Sequence, residues 1–237
     1  MAIYHLHQSH GSRKGGQSGG AKFDYITHEG KYSKKHDHCR CFSSRLPSEY
    51  GGITPTTEQQ RSFWLDADKH ERSNATLFTQ IEFALPVELT NDGQQQAVLE
   101  FIEANIPNQP YTFAIHEGKG HNPHVHLIYS DRMLDGKERE EGVFFKKADK
   151  RTAEEKRGAI KNRAFKGGKD HRRELLLDRR ESWATIANKA LRNEASLWRK
   201  IQNSIPKIQN SIPQIDHRTL EAQGINREPQ VHRGAAR

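Results

Sequence analysis

The chain has 237 residues, enough for one domain with a tail, and only about two-fifths of them are apolar even with the 18 glycines counted, so the core is expected to be modest with polar margins. Lys and Arg number 38 against 30 Asp and Glu, a net charge of +8, which points to an acidic partner. No stretch reaches the roughly 20 apolar residues of a membrane helix, the start lacks a signal-peptide core, and Cys39 and Cys41 alone cannot staple a secreted fold. Membrane, secreted-disulfide and collagen classes are excluded, and a cytoplasmic protein is expected.

Ala2 to His7 alternates and predicts a first strand, with Tyr4 and Leu6 on one face and Ile3, His5 and His7 on the other. Gly11-Ser-Arg-Lys-Gly-Gly-Gln-Ser-Gly-Gly20 follows. It has the look of a phosphate-binding loop without the Gly-Lys-Ser/Thr ending of a Walker loop, and a flexible linker is the competing reading. Ser18 or a neighbouring glycine caps a helix from Ala21 to about Thr27 bearing Phe23 and Tyr25; Tyr32, seven positions on, would share the Tyr25 face if Gly30 let the helix continue. Lys34–Thr57, polar and punctuated by Pro47, Gly51-Gly52 and Pro55, reads as a long surface loop, and a helix resumes at about Glu58–Ser73.

Strands are predicted at Leu77–Leu85, Tyr111–His116 and His124–Ser130, with a helix at Gln94–Ala104. Leu77, Thr79, Ile81, Phe83 and Leu85 share one face of the first, opposite Gln80, Glu82 and Ala84. Tyr111, Phe113 and Ile115 oppose Thr112, Ala114 and His116; Val125, Leu127 and Tyr129 oppose His124, His126 and Ile128. The chain after Asp131 is basic, densely so from Lys146 to Lys169, and a helix is expected at about Glu174–Arg199. A tandem duplication, Ile201-Gln-Asn-Ser-Ile-Pro-Lys then Ile208-Gln-Asn-Ser-Ile-Pro-Gln, opens what reads as an extension or linker over residues 196–237, after a main domain of residues 1–195.

The sharpest chemical signal lies between His116 and His126. Residues two apart on a strand point to the same side, so His124 and His126 present two imidazoles together, and an antiparallel hairpin through the seven intervening residues returns His116 beside them. Three converging imidazoles make a metal site with open positions. His121 is read as a bystander, His5 and His7 as structural, and His36-Asp-His-Cys-Arg-Cys41 as lacking the second half of a zinc module. A histidine-triad nucleotide hydrolase would need a further histidine where Ile128 stands. A rolling-circle replication nuclease would need a tyrosine downstream, yet the last tyrosine is Tyr129, on the strand itself; any tyrosine nucleophile comes from upstream.

Ala2-Ile-Tyr-His-Leu, Gly15-Gly-Gln-Ser, Ala21-Lys-Phe-Asp-Tyr-Ile26 with Glu29-Gly-Lys-Tyr32, Glu82-Phe-Ala-Leu-Pro-Val-Glu-Leu89 and Asn122-Pro-His-Val-His-Leu127, in that order, resemble the MobA/MobL-type plasmid mobilisation relaxases. The match covers about residues 1–195, and Ile215-Asp-His-Arg-Thr-Leu-Glu-Ala-Gln-Gly-Ile resembles the segment following that core. The resemblance implies a site- and strand-specific DNA endonuclease that nicks and rejoins an origin of transfer. It places the nucleophile on Tyr25, the ligands of a divalent metal ion, Mg²⁺ or Mn²⁺ in use, on His116, His124 and His126, and an acidic site position on Glu82. It also implies accessory mobilisation proteins and a coupling protein as partners.

Glu82 suits a carboxylate that orients an imidazole; Asp24 and Glu82 are candidates for the base assisting Tyr25, and Tyr32 for packing or DNA contact, with a second nucleophile as the competing reading. Arg13, Lys14, Lys22 and the basic run after Lys146 are candidate phosphate contacts, along a single-stranded DNA path leading to Tyr25. The implied architecture is α+β: a central antiparallel sheet in a permuted palm-like arrangement, with helices on one face and the histidines on the other. A catalytically silent DNA-binding accessory protein would keep the basic surface with no use for Tyr25, and another metal-dependent phosphoesterase would work without it.

Overall fold

The computed structural model describes residues 5–33, 39–118, 122–201, 214–219 and 221–225. Five strands, β1 (Leu6–Ser12), β2 (Cys39–Arg45), β3 (Thr76–Ala84), β4 (Tyr111–His116) and β5 (His124–Tyr129), form one sheet in the order β1-β3-β5-β4-β2, with every neighbour antiparallel. Four helices accompany it: α1 (Gly19–Thr27), α2 (Thr57–His70), α3 (Asn91–Asn105) and α4 (Lys169–Ile201). The α+β class and the antiparallel sheet are as expected.

One face of the sheet buries Ile81, Phe83, Phe113, Ile115, Val125 and Leu127 against α3 and α4. Phe83 sits 4.5 Å from Trp183 and 4.9 Å from Phe101, ring centre to ring centre, and each such ring contributes a few kcal/mol of burial. The other face is not left to the histidines. Phe23 and Ile26 of α1, Phe63 and Trp64 of α2, and Phe144 and Phe145 from the long irregular segment after β5 form a second core with Ala114 and Ile128. The expectation of helices on one face is therefore corrected: Phe23 and Phe63 give α1 and α2 apolar stripes of their own, and these need a sheet face to be buried.

Three predicted elements also change. The first strand runs Leu6–Ser12 rather than Ala2–His7, because main-chain pairing with β3 carries it through the polar residues His7 to His10; Ala2 to Tyr4 lie outside the described residues. The expected loop at Lys34–Thr57 contains β2, an edge strand whose sequence has no apolar alternation. Its ladder with β4 supplies the order, and Ser44 Oγ lies 2.6 Å from Gln60 Oε1 and 2.8 Å from Thr112 Oγ1. Leu77 joins the α1–α2 core instead of sharing the face of Ile81 and Phe83, in a stretch where β1 slips register between Gly11 and Ser12.

The segment beyond residue 195 is partly seated on the domain. Ile215 is buried in the α3–α4 core, and Asn188 of α4 holds it through its main-chain N–H and C=O at 2.8 and 2.9 Å. Residues 202–213, which hold nearly all of the duplication, lie outside the described residues.

Candidate metal centre and nucleophile

The β4–β5 hairpin pairs His116 directly with His124 and Ala114 with His126, so all three histidines share the α1–α2 side of the sheet. At the turn Gly118 takes φ +59°, and a Cβ there would come within 2.4 Å of the Asn122 carbonyl, so glycine lets the loop close. One ring nitrogen from each of the three histidines lies within 4.8 Å of the others. His121 and residues 36–38 fall outside the described residues; among the described residues this is the metal-competent cluster.

Each imidazole is oriented by an oxygen on its outer nitrogen. His116 Nε2 donates to the Ile26 carbonyl at 2.6 Å, His124 Nδ1 to the Asn122 carbonyl at 2.9 Å, and His126 Nδ1 faces Glu82 Oε2 at 3.3 Å. Acceptors in those positions fix the tautomers and leave the opposite nitrogens, Nδ1 of His116 and Nε2 of His124 and His126, with lone pairs for a ligand role, which is how metal-binding histidines are held. Burial lowers the His116 pKa to about 4, with His126, His28 and His124 pushing the same way, and burial also lowers that of His126. Hydrogen bonding to His126 is the main cause holding Glu82 down at about 2. At neutral pH the lowered His116 and His126 are therefore neutral imidazoles and Glu82 is ionised, and three imidazoles beside a carboxylate are a donor set that fits a divalent cation and prefers later transition metals to Mg²⁺.

α1 delivers Tyr25 to this cluster. Ser18 caps its start by accepting from the Ala21 N–H, and Asp68 of α2 binds the same end through Ser18 Oγ at 2.6 Å, Gly19 N at 2.6 Å and Gly20 N at 3.1 Å. A Cβ on Gly19 would meet the Trp64 carbonyl at 2.9 Å, and one on Gly20 the Leu65 side chain at 2.5 Å. The Gly19-Gly20 end of the glycine-rich run is thus a helix-packing device whose amides are already taken by a carboxylate, which settles the phosphate-loop reading against those two amides. The helix ends with His28 in the left-handed region at φ 59°, its ring 4.4 Å from His116.

The Tyr25 ring lies 5.7 Å from His126 and 5.4 Å from Tyr32, and the Lys22 ammonium sits 4.8 Å over it. Tyr25 and Tyr32 meet because the chain turns back after Thr27, not because the helix continues. Asp24 is engaged by Arg61 through two bonds of 2.8 and 3.2 Å, which ties α1 to α2 and occupies the carboxylate offered as a base.

Tyr25, Lys22, Tyr32, Glu82 and the three histidines are brought together; Arg13 and Lys14 are not. They follow Ser12, which pairs with Thr76 at the end of the sheet away from the Glu82–His126 pair. His7 stands in register with Glu82 and is exposed, so neither core packs around it. Gln80, placed on the Glu82 face but given no role in the sequence, brings its amide to 3.4 Å from both Glu82 Oε2 and His126 Nδ1. Its position two residues before Glu82 on a strand was the available signal. His28 had none, since its place depends on the turn that ends α1.

The model of the MobA/MobL family matches residues 17–237. "Mobilization protein A" of Escherichia coli is 44% identical over 236 residues, 99% of this chain and 30% of its own length. The "43 kDa relaxation protein" of Salmonella typhimurium is 34% identical over 239 residues, 96% of this chain and 57% of its own length, so the chain spans about a third to just over half of these relatives. A solved structure titled "Molecular Basis of Vancomycin Resistance Transfer in Staphylococcus aureus" superposes with a TM-score of 0.56 over 89% of this chain and 100% of that one at 22% identity, a likeness of fold. With nearly its whole length matched by the family's model, the chain belongs to the MobA/MobL family.

Proposed function

We propose that this chain is the nicking and rejoining region of a plasmid mobilisation relaxase, acting on single-stranded DNA at an origin of transfer with Tyr25 as nucleophile. The observation that carries the reading is the convergence of Tyr25 with three oriented imidazoles, on a helix whose Ile26 carbonyl holds one of those imidazoles. The printed names of the relatives, mobilization and relaxation proteins, support it.

His116, His124 and His126 would hold a divalent cation, which supplies positive charge for a non-bridging oxygen of the scissile phosphate. Lys22, beside the Tyr25 ring, adds a second cation where the phosphate arrives. The Tyr25 oxygen attacks phosphorus in line as it gives up its phenolic proton. The bond to the 3′ oxygen breaks, that oxygen takes up a proton, and a 5′-phosphotyrosine and a free 3′-hydroxyl remain. One phosphodiester replaces another, so the reverse attack by a 3′-hydroxyl rejoins the strand without ATP. Glu82 acts by holding His126, and Tyr32 by packing on Tyr25 at the DNA side.

The test is to incubate the protein with single-stranded origin DNA and Mn²⁺, denature in SDS and look for a protein–DNA adduct. The adduct should form with the wild type and vanish with Tyr25→Phe. Cleavage that persists without any adduct would assign the site to a hydrolytic phosphoesterase and overturn the tyrosine mechanism.

A further inference from the structure

A cleft of about 470 Å³ opens at the end of the sheet away from Tyr25, between the segment joining α2 to β3 and the irregular chain from Lys147 to Lys166. Its floor is built on Arg132, 5% exposed, which donates to Glu71 and to the carbonyls of Phe145, Lys146 and Ala159. Glu71, the one acidic residue among those lining the cleft, is consumed twice over, by Arg132 and by Lys161 at 3.3 Å. Lys147 is answered by Asp149 at 3.0 Å. Arg72, Lys150, Arg163 and Lys166 are all exposed, and among the described residues none of the four has an ion-pair partner. Cations gathered without counter-charge repel one another, so such a cleft has its use in a polyanion.

We propose that this cleft holds the phosphate backbone of DNA flanking the phosphate that Tyr25 attacks, an inference that rests on the function proposed above. Two observations favour nucleic acid over an acidic protein. No aromatic side chain lines the cleft, whereas protein interfaces concentrate their energy on such anchors. The cleft also runs toward the first strand: Asn74 borders both it and a neighbouring one of about 280 Å³ lined by Arg172, by Asp131, which accepts from Thr79, and by Ser12, and the cations Arg13 and Lys14 follow Ser12 directly. Arg13 and Lys14, remote from Tyr25, thereby gain a place on the same track. From Glu82, level with His126, back to Thr76 is about 20 Å of strand, which DNA covers in roughly six nucleotides when stacked at about 3.4 Å each and in about half as many when a single strand is extended.

The experiment compares the full chain with a variant carrying Arg72→Gln, Lys150→Gln, Arg163→Gln and Lys166→Gln, all exposed positions, checked for an unchanged thermal midpoint. Binding of a labelled oligonucleotide of about thirty nucleotides bearing the origin is followed by anisotropy across a salt series; the slope of log affinity on log salt should become shallower by about three, and affinity at low salt should fall on the order of tenfold or more. With origin DNA trimmed to about two nucleotides on both sides of the nick, too short to reach the cleft even when extended, variant and wild type should form the Tyr25 adduct equally well. An unchanged salt slope on the long DNA, with the wild-type adduct intact, overturns the proposal and leaves the cleft to an acidic protein partner. Absence of the adduct in the wild type would instead overturn the tyrosine mechanism, and the salt series would still decide the cleft.

Discussion

The β4–β5 hairpin serves two faces of the sheet by different physics. Tyr111, Phe113 and Ile115, with Val125, Leu127 and Tyr129, face α3 and α4 and are stabilised by apolar area removed from water. Ala114, His116, His124 and His126 alternate with them and face α1 and α2, where the buried His116 and His126 and the half-buried His124 are tolerated because each outer nitrogen meets an oxygen. On the first face many contacts of similar kind add up. On the second, three particular acceptors, Ile26 O, Asn122 O and Glu82, decide whether the site exists. Losses should therefore be large but unspecific on one face and small in stability but specific in chemistry on the other.

The largest effect is expected from Trp183→Ala, which opens a cavity beside Phe83 and Phe101 and should cost about 3–5 kcal/mol in denaturant unfolding. Metal binding by the fraction that remains folded should be unaltered; a specific loss of metal affinity would show that the two faces are coupled. Next comes Glu82→Gln, which keeps the shape but removes the charge that His126 faces. Titration with Mn²⁺ should show affinity weakened by about 10- to 100-fold, with the unfolding midpoint of the metal-free protein nearly unchanged. A large stability loss there would mean that Glu82 is part of the core's support rather than of the site.

At neutral pH the remaining effect is silent, since it is a pH dependence confined to the histidine face. His116 titrates at about 4 in the fold against an ordinary 6.5. Because the unfolded chain takes up the proton first, stability is complete above about 6.5 and declines as pH falls toward 4, with His126 adding in the same direction. Glu82, held at about 2 against 4.5, adds a further loss below 4.5. Thermal midpoints of metal-free protein across this range should show the decline, and His116→Asn should flatten it between 6.5 and 4. A decline unaffected by that substitution would move its origin to other carboxylates or histidines.

Much of this was legible in the residues. The boundaries of β4 matched its alternation, β3 and β5 came within a residue or so, and the antiparallel return that brings His116 to His124 followed from two strands separated by a short loop. Ser18 as a cap and the convergence of the three histidines were likewise readable from local pattern. β2 was not, because an edge strand draws its order from another strand's main chain and needs no apolar alternation of its own. Nor was the Asp68 clasp on Gly19 and Gly20, which joins residues some fifty positions apart.

The sequence by itself determined which residues alternate on strands, which side of the hairpin carries imidazoles, and, through the order of its motifs, the family. Only the tertiary structure decided that α1 and α2 close over the histidine face, that Ile26 and Asn122 carbonyls set the tautomers, and that Arg72, Lys150, Arg163 and Lys166, without ion-pair partners among the described residues, gather at the far end of the sheet from Tyr25. Periodicity is a local property and is written in neighbouring residues. The partner of a buried polar group, and the place where surface charge accumulates, depend on which distant segments pack together.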